Sequence, residues 1–448
     1  MSHRNSRSKP SQAMNLIPST ERKGGFQVLD DMVLAEFIVG SRGTLHPTYA
    51  DFISICQTDL LRDKFLEVFL WEWDWQGAPT APHIPLHDIY RIINHALDLR
   101  PRTRKLAIDA QFLEALHVDQ LQTMPTREPS HLKELAIRGA DTTTNKAIVR
   151  HLLSIVGPDF SNTQLCLGGS WSSPVDFYHA LQGPPRQFMG LTKLQVDDIT
   201  IQHWFFLLRD IKSLQHITVA AMRDSPDYPC NNERHIYNKL MSIDIAAHPQ
   251  EAINKKVIMR ALRPLRCVYL KKLSLANDYL WSRSSINDLL SVNTCFLREL
   301  TLNNMAGMTP VILVDFLHQK RGGHNLTKLH INPGSAGIQY FDYSLFPLVE
   351  FLADLRAVPD LRSLSFPLHH VAYPGTSRTD LYEPSPLMQV ITKRVAMSQL
   401  RNITISAPDP RMVKTHLSTH DYGMLMHLKR EPGVNVYITD DELDHGGH

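Results

Sequence analysis

An α/β solenoid is the fold that this sequence predicts: an arc of short parallel strands with helices on its outer side. Two observations predict it. The first is a recurring segment of the form Leu-x-x-Leu-x-Leu. It stands at residues 132–137, 270–275, 297–302 and 326–331. Looser copies start at Thr103, Asn162, Leu191, Leu214, Leu240, Leu361 and Leu400, and a last one ends in Val436 and Ile438. The second is the spacing. Successive starts from Thr103 to Leu400 lie 29, 30, 29, 23, 26, 30, 27, 29, 35 and 39 residues apart. Alternation of apolar and polar residues makes a strand with one buried face. A step near that length leaves room for a helix to return the chain to the next strand. Such units bury their apolar faces only by stacking on one another.

The elements follow in order. Residues 1–25 are polar and mildly basic, without an apolar stretch, and read as a disordered tail rather than a secretory signal. Residues 28–38 carry apolar side chains near helical spacing with Asp30 and Asp31 in the first turn, which predicts an amphipathic helix. A second helix is predicted from Pro47 or Thr48 toward Leu61, through Tyr49, Phe52, Ile53 and Cys56. At 68–75 the aromatics Phe69, Trp71, Trp73 and Trp75 alternate with other residues. That predicts a strand whose aromatic face caps the open end of the solenoid. A helix at 86–99 leads to the first clear repeat at Thr103. Further helices are predicted at 144–155, 200–209, 309–318, 345–357 and 386–397. Pro310 opens one of them, where its missing N–H costs little. The expected organisation is a tail at 1–25, a small helical segment with a capping strand at 26–76, the repeat domain at 77–439 and a flexible tail at 440–448.

Composition narrows the function. With 43% hydrophobic residues the chain can bury a large core, and a net charge of +2 provides no field that selects nucleic acid or an anionic membrane. The five cysteines are scattered, odd in number and form no Cys-x-x-Cys. That fits reduced thiols in the cytoplasm or nucleus. No apolar run approaches the roughly 18 residues of a membrane span. Nucleotide-binding, metalloprotease and nucleophile-elbow motifs are missing. Residues 168–172 (Gly-Gly-Ser-Trp-Ser) resemble an elbow but lack its closing glycine, and read as a loop. His369 and His370 are adjacent and so do not share a face. A binding protein without cofactor, metal or catalytic residue is expected, monomeric apart from its partners.

The strand residues that flank the inward-facing pairs point to the concave side. Arg138, Lys193, Gln195, His216, Asp244, Lys272, Glu299, Asn303, Lys328 and His330 are the candidates for partner contact there. They are polar, carry both signs and include no convergent acid–base pair. This suits an extended protein-binding surface better than an active site.

The consensus and period resemble the leucine-rich repeat, in its ribonuclease-inhibitor-like class. The asparagine usual after the repeat strand is missing, the matching positions being Ala140, Ile199, Met222 and Met305. Residues 28–74 resemble a degenerate F-box: Leu29, Leu34, Glu36 and Ile38 match its first helix, and Phe52 with Ser54-Ile55-Cys56 a later one. The whole is similar to fungal F-box/leucine-rich-repeat proteins. The resemblance implies that Leu29, Leu34, Ile38, Phe52 and Cys56 dock a Skp-type adaptor of a cullin-type (SCF) ubiquitin ligase, while the arc holds a protein substrate. Asp30 stands where the motif has proline. The alternative is a leucine-rich-repeat scaffold with no link to ubiquitination.

Overall fold

The computed structural model describes residues 25–28, 32–39, 45–46, 48–58, 64–71, 86–98, 102–109, 132–138, 164–170, 190–225, 236–237, 239–252, 256–277, 297–305, 309–318, 325–332, 346–367, 385–407 and 417–440. The strands are β1 (Gly25–Val28), β2 (Met32–Val39), β3 (Leu45–His46), β4 (Phe65–Trp71), β5 (Thr103–Asp109), β6 (Glu134–Arg138), β7 (Gln164–Ser170), β8 (Lys193–Thr200) and β9 (His216–Arg223). They continue as β10 (Ile236–Tyr237), β11 (Ser242–Ala247), β12 (Leu265–Arg266), β13 (Lys272–Ala276), β14 (Glu299–Asn303), β15 (Lys328–Asn332), β16 (Ser363–Pro367), β17 (Asn402–Ala407) and β18 (Asn435–Asp440). All but β10 and β12 join one sheet, in chain order from β1 to β18 with β3 added at β2. From β2 onward every neighbour along this path is parallel.

Parallel neighbours need a crossover between them, and among the described residues helices lie in several of these connections. Described helices are α1 (Tyr49–Gln57), α2 (Leu86–Asp98), α3 (Ile201–Asp210), α4 (Pro249–Ala252), α5 (Val257–Leu262), α6 (Pro310–His318), α7 (Phe346–Ala353), α8 (Pro386–Ala396) and α9 (Thr419–Leu428). Their starts are written locally. The Thr48 and Asp51 side chains form a capping box on α1, and the hydroxyls of Thr200, Ser385 and Ser418 cap α3, α8 and α9. The result is an α/β fold built on a long parallel sheet, solenoid-like in its repetition.

The inward residues of each strand stack on their equivalents. Leu300 pairs in register with Leu273 on one side and Leu329 on the other, and Leu302 with Leu275 and Ile331. Leu300 and Leu302 are each 2% exposed and belong to one core that runs from Val33 to Val434 and includes the helix faces. The register drawn from the Leu-x-x-Leu-x-Leu pattern is the register observed.

The amino-terminal segment is not as expected. The predicted helix over 28–38 is an antiparallel pair, β1 with β2, and β2 then pairs parallel with β4. Val33, Ala35 and Phe37 face the main core, and Leu34 is buried on the opposite face. A short run that is apolar on both faces fits a buried parallel strand as well as a helix, and the open edge of β4 decides between them. The sheet therefore continues through the boundary expected at residue 76. The aromatic strand ends at Trp71 and lies between β2 and β5, so it does not form the end of the sheet. Trp73, Trp75, the helix expected at 144–155, His369, His370 and the two tails, apart from Gly25 and Asp440, lie outside the described residues. Gly168, Gly169 and Ser170 belong to β7 and so are strand, where a loop was expected.

One side chain ties successive units together in a way the sequence did not announce. Arg394 of α8 is fully buried. Its guanidinium donates to the carbonyls of Leu352, Asp354 and Val358 at 2.8–2.9 Å. These oxygens lie at and beyond the end of α7, where helical carbonyls lack intrahelical partners and the dipole is negative. Burial lowers the Arg394 pKa and the Asp354 carboxylate opposes that.

Candidate functional site: the open face of the sheet

Side chains on the face away from the helices fall in rows that cross the strands. One row runs Lys105, Glu134, Gln164, Lys193, His216, Ser242, Lys272, Glu299, Lys328. A second runs Phe69, Ala107, Ala136, Cys166, Gln195, Thr218, Asp244, Ser274, Thr301, His330. Lys193, His216, Lys272, Glu299 and Lys328 thus share the first row, and Gln195, Asp244 and His330 the second. Asn303 stands in a third, between Ala276 and Asn332. Arg138 pairs with Asp109 farther toward the amino terminus. Equivalent residues of adjacent strands are about 4.8 Å apart, so the rows form one continuous surface.

The chemistry changes along that surface. Toward the amino terminus it is apolar: Leu34, Phe69, Ala107 and Ala136 form a small cluster of their own, with Cys166 at its margin. The Lys105 ammonium lies 5.4 Å from the Phe69 ring centroid and 2.7 Å from Glu134. Toward the carboxyl terminus it is polar. His330 Nε2 and Asn303 Oδ1 are 2.8 Å apart, and Lys272 meets Glu299 at 3.8 Å. Burial, then the charges of Lys193 and Lys272, hold the His216 pKa below its ordinary value.

Of the five positions expected to dock an adaptor, Leu34, Phe52 and Cys56 have described side chains, and all three are buried. Phe52 has 0% exposure and meets Phe37 edge-on at 5.3 Å and His95 at 5.5 Å. Cys56 is buried, and burial pushes its thiol up to about 11. Leu34 lies in the open-face cluster. Ile38 is in β2, and Leu29 lies outside the described residues. The three that can be placed are packed interior, because the segment that carries Leu34 is strand and α1 presses its apolar side onto α2 and β2. They present no exposed helix to a partner.

Two groups escaped the sequence reading. Asn277 and Asn304 adopt positive φ of 58° and 51° directly after β13 and β14, and Asn304 Nδ2 donates to Asn277 Oδ1 at 2.8 Å. A short asparagine ladder therefore exists, one residue before Met305 where it was sought. The signal was Asn-Asp after one repeat and Asn-Asn after the next, since asparagine tolerates the left-handed region. At the carboxyl ends of β8 and β9, Arg223 forks onto Asp198, with Nε at 3.0 and 2.8 Å and Nη2 at 2.6 Å. Beside it Arg260 binds the Asp224 carboxylate, and Glu251 accepts from the Asp224 N–H. This network joins three units and is internally paired. Among the described residues no three His, Cys, Asp or Glu side chains gather as a metal site, and no helix is long and apolar enough to cross a membrane.

Fold and surface define a class: an α/β repeat protein with a long parallel sheet and an open polar face. No protein-family model matches the chain, and no curated protein matches it. One solved structure that resembles it is the crystal structure of the Rad7 and Elc1 complex in yeast. That match has 14% sequence identity and a TM-score of 0.40, and covers 77% of this chain and 71% of the other. A likeness of this size adds nothing to the strand order and register described above.

Proposed function

We propose that this chain is a protein-binding module that does no chemistry of its own, and that its open sheet face takes the partner. The observation that carries the reading is the registered polar surface from β8 to β17, with side chains of both signs. Solenoids present such extended faces to other proteins. A photo-crosslinking amino acid placed at Thr301, on this face, should capture a protein partner in cells. The same group at Val311, exposed on α6, should not. Capture from Val311 and none from Thr301 would sink the idea.

The finer reading is a substrate-recognition subunit of a cullin-type ubiquitin ligase, reached through a Skp-type adaptor. Its support is the resemblance of residues 28–74 to an F-box, and the adaptor would take a surface other than the buried Leu34, Phe52 and Cys56. Co-purification of the full chain with such an adaptor tests it. A protein partner retained with no adaptor selects the scaffold reading, which Asp30 in the place of proline favours.

A further inference from the structure

We infer that the amino-terminal rim of β13–β17 is where that partner is held, and that it grips an acidic, extended stretch of protein carrying some apolar side chains. This rests on the open face binding a protein.

Lys271, Arg298, Arg362 and Arg401 occupy one structural position, the residue just ahead of β13, β14, β16 and β17. The backbone fixes their alignment. The Arg298 N–H donates to the Lys271 carbonyl, Thr327 to Arg298, Arg362 to Thr327, and Arg401 to Arg362. Four steps of about 4.8 Å make a row roughly 19 Å long. Lys272 and Lys328 add two more cations at the first strand position. Five of the six are exposed and Arg401 is half-buried. The carboxylates on the same turns are Glu299, which meets Lys272, and the exposed Asp360 and Glu431. Six cations thus face three anions.

The same position ahead of β8, β9 and β11 holds Thr192, Gln215 and Met241, which are uncharged and separate this row from Arg104 and Lys133, at the equivalent position on β5 and β6. The opposite rim of β13–β15 holds Asn277, Asn304 and Asn332, uncharged as well. In a chain of net charge +2, four cations in five successive strands at one rim position make a local excess of positive charge.

Apolar side chains flank the row. Val268 and Tyr269, 46% and 57% exposed, stand next to Lys271, and Tyr437 of β18 is 53% exposed beyond Arg401. Cations between apolar anchors match carboxylates between apolar side chains. Surfaces that track single-stranded nucleic acid interleave their aromatics with the cations so that successive bases stack. Here the aromatics lie at the two ends, which favours protein. Charges at this exposure are screened beyond about 8 Å at physiological salt, so the row acts on a segment laid along it.

The test is fluorescence anisotropy on the full chain with a labelled peptide of Asp and Glu interspersed with Leu and Tyr, at low and physiological salt. The unmodified chain should bind it, more weakly as salt rises. Arg298→Glu with Arg362→Glu should weaken binding by about tenfold or more. Arg298→Lys with Arg362→Lys should retain most of it. Lys133→Glu, at the same rim position but ahead of β6, should leave it unchanged. A thermal melt of each variant confirms the fold, which these exposed sites should not alter. Equal binding by the charge-reversed chain, or equal loss from Lys133→Glu, overturns the inference. So does tighter binding of oligothymidylate than of the peptide, which would make the row a phosphodiester track. If the peptide does not bind while Thr301 still captures a partner, the row fails and the open-face reading stands.

Discussion

Phe69 and Thr301 occupy the same row of the same sheet face, eight strands of the sheet apart, and their surroundings differ in kind. Phe69 is 5% exposed and packs with Leu34, Ala107 and Ala136. Thr301 lies between Ser274 and His330, half-exposed and polar. Behind both, the inward rows are alike: Leu106 on Leu135, and Leu300 on Leu329. The core sets the register, and the opposite face is then free to be interior in one region and binding surface in another.

That comparison can be broken by experiment. Phe69→Ala should cost about 3–5 kcal/mol, the loss of a buried aromatic, although its row would classify it as surface. Leu300→Ala should follow at about 2–5 kcal/mol. Thr301→Ala should change stability by about 0.5 kcal/mol or less. Denaturant melts rank the three, and a Phe69→Ala value as small as that of Thr301→Ala would dissolve the distinction between the two regions.

His216 sharpens the polar side through pH. Its folded pKa is lowered, so the unfolded chain takes up the proton first. The stability it contributes is complete above the ordinary histidine value of about 6.5 and is lost as pH falls from there through the lower folded value. His216→Gln should flatten the acid side of a plot of denaturation midpoint against pH. An unchanged slope would place the acid sensitivity elsewhere. The smallest effect is chemical. Burial pushes the Cys267 thiol up to about 12, while Cys166 is half-buried on the open face. Iodoacetamide at neutral pH should modify Cys166 well before Cys267, as peptide mapping would show.

Much of this was legible in the residues. Leu, Ile and Val at period two identify each inward pair, and Thr200, Pro310 and Pro386 mark helix starts, so β13–β15 and α3, α6 and α8 could be drawn in advance. The open-face candidates fell into rows because parallel strands in register carry equal offsets across the sheet. Residues 28–38 could not be read this way. Val33, Leu34, Ala35 and Phe37 are apolar on both sides, and their partner strand lies some thirty residues on, outside any local window. Phe69 was hidden for the same reason, since Leu34 and Ala107, on neighbouring strands more than thirty residues away in sequence, pack with it. The paired asparagines sat one position from where the repeat pattern puts them. Arg394 looked like any helical arginine, because its acceptors are main-chain oxygens.

That arginine bears on how the molecule comes apart. An array of repeats is a chain of nearest-neighbour couplings, and a weak link lets one end melt while the other persists. Arg394 belongs to the unit that ends in β17, and the carbonyls it holds belong to the unit that ends in β16. Neither can open without stranding a buried charge or uncapping a helix. Amide protons of α7 and α8 should therefore exchange as one cooperative block. In the Arg394→Met chain the two helices should exchange at separate rates. The basic row from Lys271 to Arg401 is laid across strands that this splint keeps in step.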